Sequence, residues 1–251
     1  MSIEPRELED ANHALGLSKE ASNWLGDQSS VRLASGTKSR DQHWSQEIKA
    51  WTNVVGVLSI ADTLRASDEL VGLYHGESFW SPAVGADEMW RTLFSPLHAF
   101  LGLPALEGVE WWLRRCPARF GKPFHFDKDE KLFAFNGQIA CPLLTTVLYL
   151  THGGATLILD FHAGMDPAFG KHAKRLFRAM AEPGKLLAFP GNRCHAVTAE
   201  DLPFDRQSLV MNWWSHHPRE VESRSWNLPL EHELPRSIAV EVERFDGTVF
   251  S

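Results

Sequence analysis

The feature that most constrains this chain is a series of short apolar runs that starts near residue 109 and continues almost to its end. VEWWLRR, FHFDK, LFAFNGQI, TTVLYLT, ATLILDF, KLLAFP, HAVTA, QSLVMNWW and SIAVEVERF are rich in β-branched and aromatic residues, with Gly, Pro, Asp or Asn between them. Side chains alternate between the two faces of a strand, so runs of this kind suit strands that bury one face or both. Many such strands at short spacing predict a sandwich or a barrel. One segment breaks the series: MDPAFGKHAKRLFRAMAEPG reads as a helix closed by Pro183-Gly184.

The first hundred residues have another texture. In ELEDANHALGL, DQHWSQEIKAWTNVVGVLSIADTL and ADEMWRTLFSPLHAFLGL the apolar positions recur at threes and fours, which predicts helices. Asp41 and Asp87 are candidate N-caps for the second and third. HGESFWSPAVG reads as a loop between helices. The expected fold class is therefore α+β with a mainly β core. A helical extension over 1–105 would pack on a core over 106–251, the two forming one integrated domain because residues near 105 lack a polar linker composition.

A net charge of −7 and a pI near 5.9 give the surface no general attraction to nucleic acid or to anionic lipid. No stretch approaches the roughly 20 apolar residues that span a bilayer, and MSIEPRELED contains no apolar run of the secretory kind. Cys116, Cys141 and Cys194 show no CxxC spacing, so buried free thiols in a reducing cytoplasm are expected.

The chemistry concentrates in three segments. In FHFDK, His125 and Asp127 stand two apart in a strand-like run, so both side chains can leave one face and reach a single metal ion. A second such pair, His75-Gly-Glu77, lies in a loop-like stretch with no matching partners downstream. KLLAFPGNRCHAV then reads as strand, turn and second strand opening near His195. Two histidines and one carboxylate cover one face of a metal and leave the other positions open, as non-haem Fe(II) oxygen chemistry requires. Finally, DRQSLVMNWW places Arg206, Ser208, Val210 and Asn212 on one strand face. A buried arginine can hold a carboxylate through two parallel hydrogen bonds, and a hydroxyl two residues on can add a third.

The order His-x-Asp, distal His, Arg-x-Ser resembles the 2-oxoglutarate/Fe(II) dioxygenase superfamily. TTVLYLTHGGATLILDF and LLAFPGNRCHAV look like the corresponding stretches of its prolyl-hydroxylase-like branch. The resemblance covers residues 109–216 and leaves the N-terminal hundred unmatched. It implies a double-stranded β-helix (jelly-roll, cupin-like) in which His125, Asp127 and His195 hold Fe(II). 2-Oxoglutarate would chelate the iron, with its far carboxylate on Arg206 and Ser208, and O2 would be the co-reactant. Tyr149, Thr156 and Asn212 are implied as further contacts to the cosubstrate. Many prolyl hydroxylases carry lysine where Arg206 stands, which argues against carrying over prolyl hydroxylation itself. Asp127 stands where halogenating relatives have a small residue, so the resemblance does not imply halogenation.

The expected partner is a small-molecule or peptide substrate. Trp111, Arg114, Arg115 and Arg119, on the strand before the ligands, are candidates to contact it. Two alternatives use the same residues differently. A zinc hydrolase could employ the two histidines and the aspartate around a metal-bound water, without needing Arg-x-Ser. A non-catalytic barrel could keep the fold as an interaction module.

Overall fold

A computed structural model describes residues 32–33, 47–52, 78–85, 89–165, 173–219, 221–223, 238–240 and 242–246. The first strands are β1 (Arg32–Leu33), β2 (Lys49–Thr52), β3 (Phe79–Pro82), β4 (Gly108–Pro117) and β5 (Lys122–His125). There follow β6 (Gln138–Ile139), β7 (Leu144–Tyr149), β8 (Gly153–His162), β9 (Arg175–Ala181) and β10 (Leu186–Pro190). The last are β11 (Arg193–Val197), β12 (Asp205–Trp214), β13 (Glu222–Ser223), β14 (Ile238–Val240) and β15 (Glu243–Asp246). Two helices are described, α1 (Ser95–Leu101), entered through a π-helical turn at Trp90–Phe94, and α2 (Glu130–Asn136).

Strand order defines the architecture. The larger sheet runs β13-β3-β4-β12-β7-β10-β2-β14 and the smaller β15-β9-β8-β11-β5. Within them, β4-β12-β7-β10 and β5-β11-β8-β9 are two antiparallel groups of four between which the chain passes repeatedly. That is the double-stranded β-helix expected from the sequence. The sheets face each other: Val147, Leu187, Phe189 and Val210 of the larger share a buried cluster with Ile158, Ala179 and Ala181 of the smaller.

Alternation along the strands builds a second core on the outer face of the larger sheet. Trp111 and Leu113 of β4, Leu148 of β7 and Met211 and Trp213 of β12 pack there against Leu93, Phe94, Leu97 and Leu101. Gly102, in the left-handed conformation at φ 62°, ends α1 with its N–H on the Ala99 and His98 carbonyls.

Four expectations of secondary structure are corrected. The helix expected over 41–64 is, where described, strand β2. Ala50 joins the inter-sheet cluster while Trp51 packs edge-on to Phe100 on the opposite face, with ring centroids 5.2 Å apart. HGESFWSPAVG contains β3, which pairs with β4. LFAFNGQI is largely helix α2, because the Asp129 side chain accepts from Leu132 N at 2.8 Å and Gly137 (φ 72°) closes the far end. The helix expected over 165–184 contains β9 instead. Its Ala, Arg and Met favour helix locally, but pairing with β8 and β15 overrides them. The helix expected in ELEDANHALGL, both Asp N-caps and the His75/Glu77 pair lie outside the described residues.

Candidate active site

Pairing brings the predicted ligands together. His195 of β11 stands directly opposite His125 of β5, with ring centroids 4.2 Å apart. Asp127, just past β5, points a carboxylate oxygen at each: Oδ1 lies 3.7 Å from His125 Nε2 and Oδ2 lies 3.7 Å from His195 Nε2. These separations are too long for hydrogen bonds.

The tautomers follow from the backbone. His125 Nδ1 lies 2.9 Å from the Pro123 carbonyl and His195 Nδ1 3.0 Å from the Arg193 carbonyl. A carbonyl only accepts, so both Nδ1 atoms carry the proton and both Nε2 atoms present lone pairs. Burial also keeps both rings neutral: desolvation pushes the His125 and His195 pKa values below the ordinary histidine value. Two imidazole lone pairs and a carboxylate thus converge within a span of 4.8 Å, and His125 Nε2 is buried without a hydrogen-bond partner. A buried donor set of this kind is satisfied by a cation, so the residues fit a divalent metal.

The surrounding cavity lies between the sheets. Trp112 and Arg114 of β4, Lys122 of β5, Thr145, Val147 and Tyr149 of β7, Thr156 of β8, Val197 of β11, and Arg206, Ser208 and Val210 of β12 line it with His125, Asp127 and His195. Arg206 is only 3% exposed. Its Nη1 donates to the Thr198 carbonyl at 3.3 Å and its Nη2 to Cys116 Sγ at 3.2 Å. It makes no ion pair among the described residues, so a buried guanidinium faces the cavity without a counter-charge. Gly153 is part of this arrangement, because a Cβ there would come within 2.8 Å of Arg206 Cγ and Cδ. The Tyr149 hydroxyl donates to Thr156 Oγ1 at 2.7 Å, which leaves the Thr156 hydroxyl proton free to donate elsewhere.

The sequence-derived residues divide as follows. His125, Asp127, His195, Arg206, Ser208, Tyr149 and Thr156 all line one cavity. Asn212 shares the inward face of β12 but turns to its neighbours, accepting from Thr145 Oγ1 at 2.7 Å. Of the four substrate candidates, only Arg114 enters the cavity. Trp111 is buried in the outer core, Arg115 pairs with Asp205 at 2.7 Å, and Arg119 lies over the Phe120 ring. The sequence reading missed Thr145, whose Oγ1 also lies 3.2 Å from Asp127 Oδ2. It could have been found, since it shares strand parity with Tyr149. The three cysteines are unpaired, and no described helix is long and apolar enough to cross a membrane.

Glu110 closes this network, accepting from Trp214 Nε1 at 3.1 Å and bonding to Ser78 and Asn212. Burial, reinforced by the Asp127 charge, raises its pKa from 4.5 to about 7. A carboxyl raised on folding contributes stability that is fully present below pH 4.5 and is lost as pH rises through 7. Denaturant titrations of the metal-free protein should therefore show the wild type losing about 3 kcal/mol more than E110Q across that window. Parallel pH profiles for the two proteins would contradict the assignment.

No protein-family model and no curated protein matches the chain. Solved structures that overlay on it include a Pseudomonas putida prolyl-4-hydroxylase, at 16% identity and a TM-score of 0.42 over 68% of this chain and 89% of that one. HygX from Streptomyces hygroscopicus, with nickel and 2-oxoglutarate bound, overlays at 14% identity and a TM-score of 0.42, covering 71% and 87%. The non-haem α-ketoglutarate-dependent epimerase SnoN from nogalamycin biosynthesis overlays at 15% and 0.44, covering 74% and 93%. The fold assignment rests on the strand order of the chain itself.

Proposed function

We propose that this protein is an Fe(II)- and 2-oxoglutarate-dependent oxygenase, most simply a hydroxylase. The observation that carries the reading is the placement of an uncompensated, buried arginine in the same closed space as a His-Asp-His donor set. A hydrolytic zinc site has use for the donor set but none for Arg206.

On this reading His125, Asp127 and His195 hold iron, and the bound metal supplies oxygen activation coupled to decarboxylation of 2-oxoglutarate. The Nδ1–H bonds to Pro123 and Arg193 keep each imidazole oriented with its lone pair forward. Arg206 grips the far carboxylate of 2-oxoglutarate, and the hydroxyls of Ser208 and Thr156 donate to the same group. Tyr149 orients Thr156 for that task through its own hydrogen bond. Val147, Val197 and Val210 exclude water around the cosubstrate and so strengthen each polar contact.

Succinate release from 2-oxoglutarate by the purified protein with Fe(II) and ascorbate tests this directly, read by NMR. Slow turnover without added substrate is expected, abolished by a chelator and restored by Fe(II). Metal-dependent ester or amide hydrolysis in the absence of succinate formation would favour the zinc hydrolase.

A further inference from the structure

The cavity holds more positive charge than iron and 2-oxoglutarate account for. We propose that Arg114 and Lys122 form a second anion-binding position, separate from Arg206, that receives the acidic group of a small-molecule substrate, either a carboxylate or a phosphate ester. This rests on the oxygenase reading and adds a substrate class to it.

Strand geometry aims both residues inward by different means. Arg114 shares its β4 face with Trp112, and its neighbour across β12 is Ser208, whereas Arg206 stands opposite Cys116, one full pleat away. Lys122 and His125 lie three apart, so a regular strand would send them to opposite faces. Between His195↔His125 and Val197↔Lys122, however, three steps on β5 oppose two on β11. This bulge turns both side chains into the cavity, and bulges beside active sites serve that re-aiming.

Neither cation has an ion pair or hydrogen bond among the described residues, and Arg114 Nε is buried without a partner. The cavity offers one carboxylate against three cations, in a chain whose net charge is −7. A divalent metal would take its counter-charges from Asp127 and the chelating carboxylate of 2-oxoglutarate. The far carboxylate would balance Arg206. Arg114 and Lys122, half-buried in the cavity wall, are then left without an anion of their own. Both line the same cavity as His125, Asp127 and His195, and Lys122 lies three residues before His125 on β5. An anion held by Arg114 and Lys122 would stand close to the metal ligands, with the Trp112 ring on the same strand face to support an apolar body.

The test is calorimetric binding to the full chain loaded with Mn(II) and saturating 2-oxoglutarate, with phenylacetate, phenyl phosphate and neutral phenylacetamide as probes. At least one anion should bind about tenfold or more tightly than the amide. Preference between phenylacetate and phenyl phosphate tells a carboxylate substrate from a phosphate ester. R114Q and K122M should each weaken that anion by about tenfold while leaving 2-oxoglutarate affinity for the Mn(II) protein within about threefold. Two variants, each checked by its melting temperature, keep the outcome independent of either one folding poorly. No anion preference in the wild type, or loss of 2-oxoglutarate in R114Q on the scale seen in R206Q, would overturn the substrate role. Failure of the wild type to bind 2-oxoglutarate at all would instead overturn the oxygenase reading beneath it.

Discussion

Replacing Asp127 with alanine is expected to reduce succinate formation at least about a thousandfold, and metal affinity by more than the 10- to 100-fold typical of a lost outer-shell partner. The reason is charge as much as ligand count. Asp127 is the one anionic donor, and it alone lies between both imidazoles, 3.7 Å from each Nε2. Without metal, its carboxylate faces two lone pairs but is also the one carboxylate in a cavity lined by Arg114, Lys122 and Arg206, so the variant is compared with the metal-free wild type as well as with the loaded protein. Thr145 keeps its 2.7 Å bond to Asn212 in the variant. Thermal melts separate ligand loss from misfolding. Mn(II) should raise the melting temperature of the wild type by binding the native state, and should leave D127A unmoved. Undiminished succinate formation by D127A would remove Asp127 from the metal centre.

The second large effect is expected at Arg206. R206Q should weaken 2-oxoglutarate by about 100- to 5,000-fold, because losing one partner of a buried charge pair costs about 3–5 kcal/mol. The loss should appear in KM for 2-oxoglutarate and in direct binding, with metal affinity preserved. R206K should recover part of it, since a lysine supplies the charge without the planar fork. Recovery should be incomplete for a local reason as well. The Arg206 side chain runs along Gly153, close enough that a Cβ there would lie 2.8 Å from its Cδ. The guanidinium is fixed at Thr198 and Cys116 through two different nitrogens, a spread that a lysine's single nitrogen does not copy. Equal 2-oxoglutarate affinity in R206Q and wild type would assign the cosubstrate to another cation, with Arg114 the first to examine.

Much of the site was legible because its information is local. His125-x-Asp127 and Arg206-x-Ser208 are spacings of two, and alternation sends such pairs to one face wherever the strand ends up. β7, β8, β10, β11 and β12 were readable for the same reason: their runs are too apolar and β-branched to be anything but buried strands. β9 was misread because RLFRAMA contains residues at home in helices, and only its place between β8 and β15 makes it a strand. α2 was misread in the opposite sense, its aromatic residues outweighing the Asp129 and Gly137 caps that decide it.

The candidate metal centre was therefore a matter of sequence in its composition and of tertiary structure in its assembly. Local residue patterns specify which side chains could coordinate, which arginine could grip a carboxylate, and that both would sit on strands. Only the folded chain decided that His195 faces His125, that Asn212 is drawn away to Thr145, and that Arg114 points inward while Trp111 and Arg115 do not. It also decided that Lys122 enters the cavity at all. Alternation is a property of a single strand, whereas pairing register and the β5 bulge depend on partners distant in the chain, and no local pattern encodes them.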